Sequence, residues 1–83
     1  MDKSSEESLI KEIKTNPRDI MAHGNLGNVY VKQERYNEAI EAYQKVIEID
    51  PKQVAAYNNL GNVYAKQERY NEAIEAYQKV IEI

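Results

Sequence analysis

Eighty-three residues, 42% hydrophobic and 30% charged with a net charge of −3, make a short acidic chain, below the roughly 100 to 150 residues of an average domain. The composition is too apolar for a disordered segment and too polar for a membrane protein, and the charge balance offers no basic field to nucleic acid or anionic lipid. Without cysteine there is no disulfide or thiolate metal site, and no apolar run follows Met1 or approaches the roughly 20 residues of a bilayer span, so the expected setting is the cytoplasm.

The first predicted element occupies residues 1–16. Leu9, Ile10 and Ile13 recur at helical spacing behind Ser4-Ser5-Glu6-Glu7, a capping-box pattern, so one helix is expected ahead of Pro17. From there the chain repeats itself: Leu26 to Ile49 and Leu60 to Ile83 read alike, position for position, except that Val31 faces Ala65. The step that carries Leu26 to Leu60 also carries Pro17 to Pro51 and Gly27 to Gly61, which divides the rest into one unit at 17–50 and a second at 51–83.

Within the first unit Ala22, His23, Leu26, Gly27 and Tyr30 form one helical stripe, and Tyr36, Ala39, Ile40, Tyr43, Val46 and Ile47 form another. Each unit therefore holds two amphipathic helices, A and B. Asn16-Pro17 and Asp50-Pro51, the latter with Gln53 in capping-box position, predict that helix A starts at the prolines; its end falls around Gln33 and Gln67. Asn37 and Asn71, each followed by Glu, predict the N-caps of helix B. The N-terminal helix stands where a preceding helix B would stand, giving the order B-A-B-A-B. Gly27 and Gly61 inside helix A each cost about 1 kcal/mol against alanine, so a neighbour must need the space; Ala39 and Ala73 of helix B are the expected neighbours.

Leu60 and Gly61 followed by Tyr64, then Tyr70, Ala73 and Tyr77, in a unit opened by proline, resemble the signature of the tetratricopeptide repeat family, and Leu26, Gly27, Tyr30, Tyr36, Ala39 and Tyr43 match it again. The resemblance implies an all-α, right-handed solenoid of antiparallel helix-turn-helix hairpins with five helices in all. Three positions depart from the family pattern. His23 stands where an aromatic is usual, Val46 and Val80 where a small residue is usual, and Glu34 and Glu68 where a glycine turns helix A into helix B. A glycine would accept a left-handed backbone there, whereas Lys-Gln-Glu-Arg-Tyr favours helix, so Glu34, Arg35, Glu68 and Arg69 are expected hinges.

The chain has one histidine and no nucleophile-base-acid spacing, so no catalytic, cofactor or metal residue is predicted; His23 reads as a packing residue, and Glu38, Glu41 and Glu48 as a solvated face. Along helix A a polar stripe runs away from helix B: Met21, Asn25, Asn28 and Lys32 in the first unit, Ala55, Asn58, Asn59, Asn62 and Lys66 in the second. The resemblance implies that this stripe lines a concave groove for extended peptides, with Asn25, Asn28, Lys32, Asn58, Asn59, Asn62 and Lys66 as its contacts. Amides both donate to and accept from a peptide backbone, and lysine suits acidic or C-terminal groups. Chaperone-binding members hold a terminal carboxylate with lysine and asparagine from successive repeats. Asn28 and Asn59 occupy two of those places, but Gly24 replaces the first lysine and no third repeat follows.

The second candidate surface is the outer face of the last hairpin. Arrays of this kind need a capping helix, and none follows Ile83, so Leu60, Tyr64, Tyr77, Val80 and Ile81 are expected to be partly exposed and to join a second copy, most simply as a two-fold dimer. Helices A and B fused through the glycine-free turns would give a domain swap instead. The partners expected are thus protein or peptide and a homo-oligomer, with no nucleic acid and no membrane. Near-identity of the units fits recent duplication, excision from a longer array or engineering.

Overall fold

The computed structural model describes residues 2–83, with side chains described from Ser5 onward. Five helices follow one another: α1 (Asp2–Thr15), α2 (Ile20–Lys32), α3 (Tyr36–Ile49), α4 (Val54–Lys66) and α5 (Tyr70–Glu82). Each packs against the next in chain order, α1 on α2, α2 on α3, α3 on α4 and α4 on α5. The all-α helical repeat expected from the sequence is the fold observed. Its core is centred on the junction between units, where Ala39, Ile40 and Tyr43 of α3 meet Leu60 and Val63 of α4, joined by Ala76 of α5. Tyr30, Val31, Tyr36, Ile47 and Tyr64 close around that cluster. The stack measures 33 × 25 × 13 Å, so each helix can bury a stripe and no more.

Helix starts differ from the sequence expectation. Pro17 and Pro51 lie in turns, not at first helical positions: the Asp19 N–H donates to the Asn16 carbonyl at 3.1 Å and the Gln53 N–H to the Asp50 carbonyl at 3.2 Å. Asn16 and Asp50 cap these turns instead of a helix, their side-chain oxygens accepting from the N–H groups of Arg18 at 3.3 Å and Lys52 at 3.1 Å. Proline fixes the backbone angle that the second residue of such a turn needs, which places it before the helix. Asp19 is the N-cap of α2, accepting from the Ala22 N–H at 3.1 Å; Gln53 precedes α4 and makes no side-chain cap. The Gln53 amide instead donates to the Asp50 carboxylate at 2.9 Å, and that bond, with the Lys52 N–H, holds the carboxyl below its usual range. α1 likewise begins at Asp2, ahead of the expected Ser4 cap, and the side chain of Ser4 lies outside the described residues.

The turns between helices A and B are closed. In the first, the Glu34 N–H donates to the Val31 carbonyl at 2.9 Å and the Arg35 N–H to the Tyr30 carbonyl at 2.8 Å, the paired bonds of a Schellman motif; Glu68 and Arg69 repeat it at 3.0 and 2.8 Å. The motif requires a left-handed residue, and Glu34 and Glu68 adopt it with φ of 58° and 60°. The expected glycine site is therefore correctly located even though glutamate fills it. Asn37 and Asn71 are not N-caps: α3 and α5 start one residue earlier, at Tyr36 and Tyr70, behind Arg35 and Arg69. The reversal is complete by the arginines, leaving the asparagines already helical.

Gly27 and Gly61 do face helix B, but the residue that needs the space is tyrosine and not alanine. A β-carbon on Gly27 would lie 2.5 Å from Cε1 of Tyr43, and one on Gly61 would lie 2.6 Å from Cε1 of Tyr77. The rings lie against helix A, and only a bare α-carbon lets them. His23 is buried as expected of a packing residue, with Nε2 donating to the Pro17 carbonyl at 2.9 Å. That bond ties α2 to the turn before it.

Candidate interaction surfaces

Two clefts open between α2 and α4 with Tyr43 of α3 in their lining. One, of about 240 Å³, is lined by Asn28, Lys32, Asn59, Asn62 and Lys66 together with Val31 and Val63. The other, of about 290 Å³, carries Asn25, Asn28 and Asn59 beside Met21 and Gly24. Successive helices A thus bring six of the seven predicted groove residues onto one continuous surface. Asn58 lines neither cleft; it occupies the register of Gly24, which faces the α4 side of its own helix, so Asn58 is exposed beyond the last repeat.

A buried tyrosine organises the cleft floor. The Tyr43 hydroxyl donates to Oδ1 of Asn28 at 2.5 Å, and burial pushes its pKa up to about 12. Tyr77 makes the same bond to Asn62. Each bond takes one lone pair of the amide oxygen, and the NH2 group of the same side chain can donate to a peptide carbonyl or carboxylate. Lys32 and Lys66 lie at one end, and neither is in a salt bridge among the described residues. No group of three or more His, Cys, Asp or Glu side chains is placed to hold a metal among the described residues. No described helix is long and apolar enough to cross a membrane.

The hinge arginines are anchored. Arg35 lies over the Tyr30 ring at 4.6 Å, bonds Glu38 at 2.6 Å and reaches Glu6 of α1 at 2.9 Å; these carboxylates raise its pKa, and Arg35 in turn lowers that of Glu38. Arg69 copies the arrangement with Tyr64 at 4.7 Å and Glu72 at 2.5 Å. Such stacked, paired guanidinium groups fix the start of helix B in place of the missing asparagine caps.

The outer face of α5 carries several exposed apolar side chains. α3 and α5 share one sequence from Tyr36 and Tyr70 onward, so each position of α5 has a twin in α3, the helix that α4 covers. Ile40 is 7% exposed and its twin Ile74 is 53%; Ile81 is 84% exposed and Tyr70, Val80 and Tyr77 are open to varying degree. Of the five residues predicted for this face, Ile81 is fully presented, Tyr64, Tyr77 and Val80 are partly so, and Leu60 is not: the core cluster encloses it at 7%. Tyr70 and Ile74 were missed, although the repeat step to them from Tyr36 and Ile40, both on the apolar stripe of the first helix B, was the signal that would have found them.

Comparison with known proteins agrees with this geometry. Residues 27–68 match the pattern described as TPR repeat, and residues 54–83 match the one described as tetratricopeptide repeat. No curated protein matches the chain. Among solved structures, two of MamA superpose with TM-scores of 0.96 and 0.95 at 31% identity over 98% of this chain. A third, MamA residues 41 to the end from Desulfovibrio magneticus RS-1, gives 0.87 at 30% identity over 89%. The chain spans less than half the length of these structures, 47%, 44% and 42%. Helix order, repeat spacing and the matched patterns agree, and the chain belongs to the tetratricopeptide repeat family, a protein-interaction fold.

Proposed function

We propose that this protein-interaction scaffold associates with a second copy of itself through the outer face of α5. One observation carries the reading: Ile74 stands 53% exposed on a helix whose identical twin buries the same residue to 7% under α4. The face that α4 covers on α3 is exposed on α5, and contiguous apolar surface of that kind marks association. Light scattering after gel filtration at tens of micromolar tests it. Wild type is expected as a dimer or larger, and Ile74→Glu with Ile81→Glu as a monomer. A wild type that stays monomeric defeats the proposal. Exchange of hairpin halves is a second route to the same assembly, favoured by the strained φ of 58° and 60° at Glu34 and Glu68, which opening the turns would relieve. Glu34→Gly with Glu68→Gly then lowers the oligomer fraction; an unchanged distribution removes the swap.

The cleft between α2 and α4 supports a peptide-binding role alongside. Its amide N–H donors and paired lysines suit an extended peptide with acidic or C-terminal carboxylate character. A peptide-array screen tests this: hits should vanish with Asn28→Ala, Asn59→Ala and Asn62→Ala together, and hits that survive all three rule out the groove.

A further inference from the structure

The self-association reading leaves open what surface of the second copy meets α5, and the register of the repeat answers it. α4 covers α3 with Ala56, Leu60, Val63 and Tyr64, and α2 carries matching residues at the same positions: Ala22, Leu26, Val29 and Tyr30. A surface able to cover α5 as α4 covers α3 is therefore already present on α2, where it is occupied by α1.

α1 occupies it poorly. One repeat step back from α3, α1 places Glu6 where α3 has Ile40, Leu9 where α3 has Tyr43, and Glu12 where α3 has Val46. α5 has Ile74, Tyr77 and Val80 at those positions. The consequence is visible on α2: Val29 is only half-buried beneath α1, with a crevice shared by Ser8, Leu9 and Asn25, whereas its twin Val63 is 2% exposed. The Glu6 carboxylate sits at 16% exposure against the interior, held by Arg35 at 2.9 Å. At the junction of the two units Ile40 fills that place without an ion pair.

Resting on the self-association reading, the geometry points to a head-to-tail contact in which α5 of one copy displaces α1 and docks on α2 of the next, α1 acting as a weak built-in competitor. The contact joins two different surfaces, so each added copy presents a fresh α5, and the assembly extends as an open chain and not a closed pair. Glu6 sets the competition because it touches neither α5 nor the rest of the contact once α1 has left.

Sedimentation equilibrium of the full chain over a wide concentration range tests this. The average mass should climb past that of a dimer without a plateau. Glu6→Lys sets a cation against Arg35, loosens α1 and should tighten association about fivefold. Glu6→Ile gives α1 the side chain of Ile40, seats it more firmly and should weaken association about tenfold. Added to wild type, Ile74→Glu keeps α2 intact and should cap growing chains, lowering the average mass. A plateau at the dimer with both Glu6 variants matching wild type means α5 meets α5; that overturns the head-to-tail contact and leaves self-association standing. A wild type that is monomeric throughout overturns the self-association reading itself.

Discussion

Three glycine-to-alanine substitutions along helices of type A should give three different outcomes, because what a new methyl group meets differs at each. At Gly24 the nearest heavy atom is Cγ2 of Val46 at 4.0 Å, ordinary contact, so the substitution yields the helix-propensity gain of about 1 kcal/mol. At Gly27 the methyl group would meet Cε1 of Tyr43 at 2.5 Å and Cδ1 and Cζ at 2.9 Å. That ring is 2% exposed and its hydroxyl is bonded to Asn28, so it has nowhere to swing. Overpacking of this kind costs about 1–3 kcal/mol, which offsets the propensity gain and leaves a net loss of up to about 2 kcal/mol. Gly61 has the same contacts with Tyr77, at 2.6, 2.8 and 2.9 Å, but Tyr77 is only partly buried and can rotate toward solvent. Its loss should be smaller, near zero. Urea unfolding followed by far-ultraviolet circular dichroism gives the three free energies, and for a chain of this size each 1 kcal/mol moves Tm by about 4–8 °C. If Gly27→Ala raises Tm as Gly24→Ala does, tyrosine packing is not why these helices carry glycine.

Glu34→Gly and Glu68→Gly should each stabilise by about 0.5–1 kcal/mol, since the left-handed penalty exceeds the extra freedom glycine has when unfolded; a lower Tm in both would contradict the turn geometry. Tyr43, raised from 10.0 to about 12 by burial, binds its proton more tightly when folded. Its contribution is therefore intact below pH 10 and is lost as pH rises toward 12, so stability should fall across that window. A Tyr43→Phe variant that falls just as steeply would exclude Tyr43 as the source. Asn28→Ala leaves the Tyr43 hydroxyl without its acceptor and should cost about 1 kcal/mol, of which Tyr43→Phe in the same chain restores part. Strict additivity of the two in a double-mutant cycle would show that the bond is idle in solution.

Much of the fold was legible because two signals agreed: the apolar stripes at helical spacing and the constant step from Leu26 to Leu60, either of which alone would have placed the helices. Boundaries were harder. Proline after asparagine or aspartate fits both a helix start and a turn, and only the bonds from Asp19 to Asn16 and from Gln53 to Asp50 select the turn. Glu34 and Glu68 read as helix formers from propensity, a term of tenths of a kcal/mol that yields to the packing of α3 and α5 back onto α2 and α4. The groove residues were legible as a stripe since one helix face decides them. Their engagement by tyrosine was not, because the bonds of Tyr43 to Asn28 and Tyr77 to Asn62 join different helices.

The pair α3 and α5 sets the limit of such reading most clearly. Their residues are the same from Tyr36 and Tyr70 onward, so no property computed along either helix can distinguish a buried Ile40 from an exposed Ile74. What distinguishes them is a neighbour, and in a repeat each unit's neighbour is another unit. Burial is therefore inherited through register: compare a residue with its twin in the other unit, and the difference in exposure locates the surface that α4 covers on α3 and that is exposed on α5. Applied to α1, the same comparison exposes a helix whose Glu6 and Glu12 stand where α3 has the buried Ile40 and Val46. Glu6 and Glu12 on α1 hold the same places in the repeat as Ile74 and Val80 on α5, and the proposed head-to-tail contact is the exchange of the one set for the other over α2.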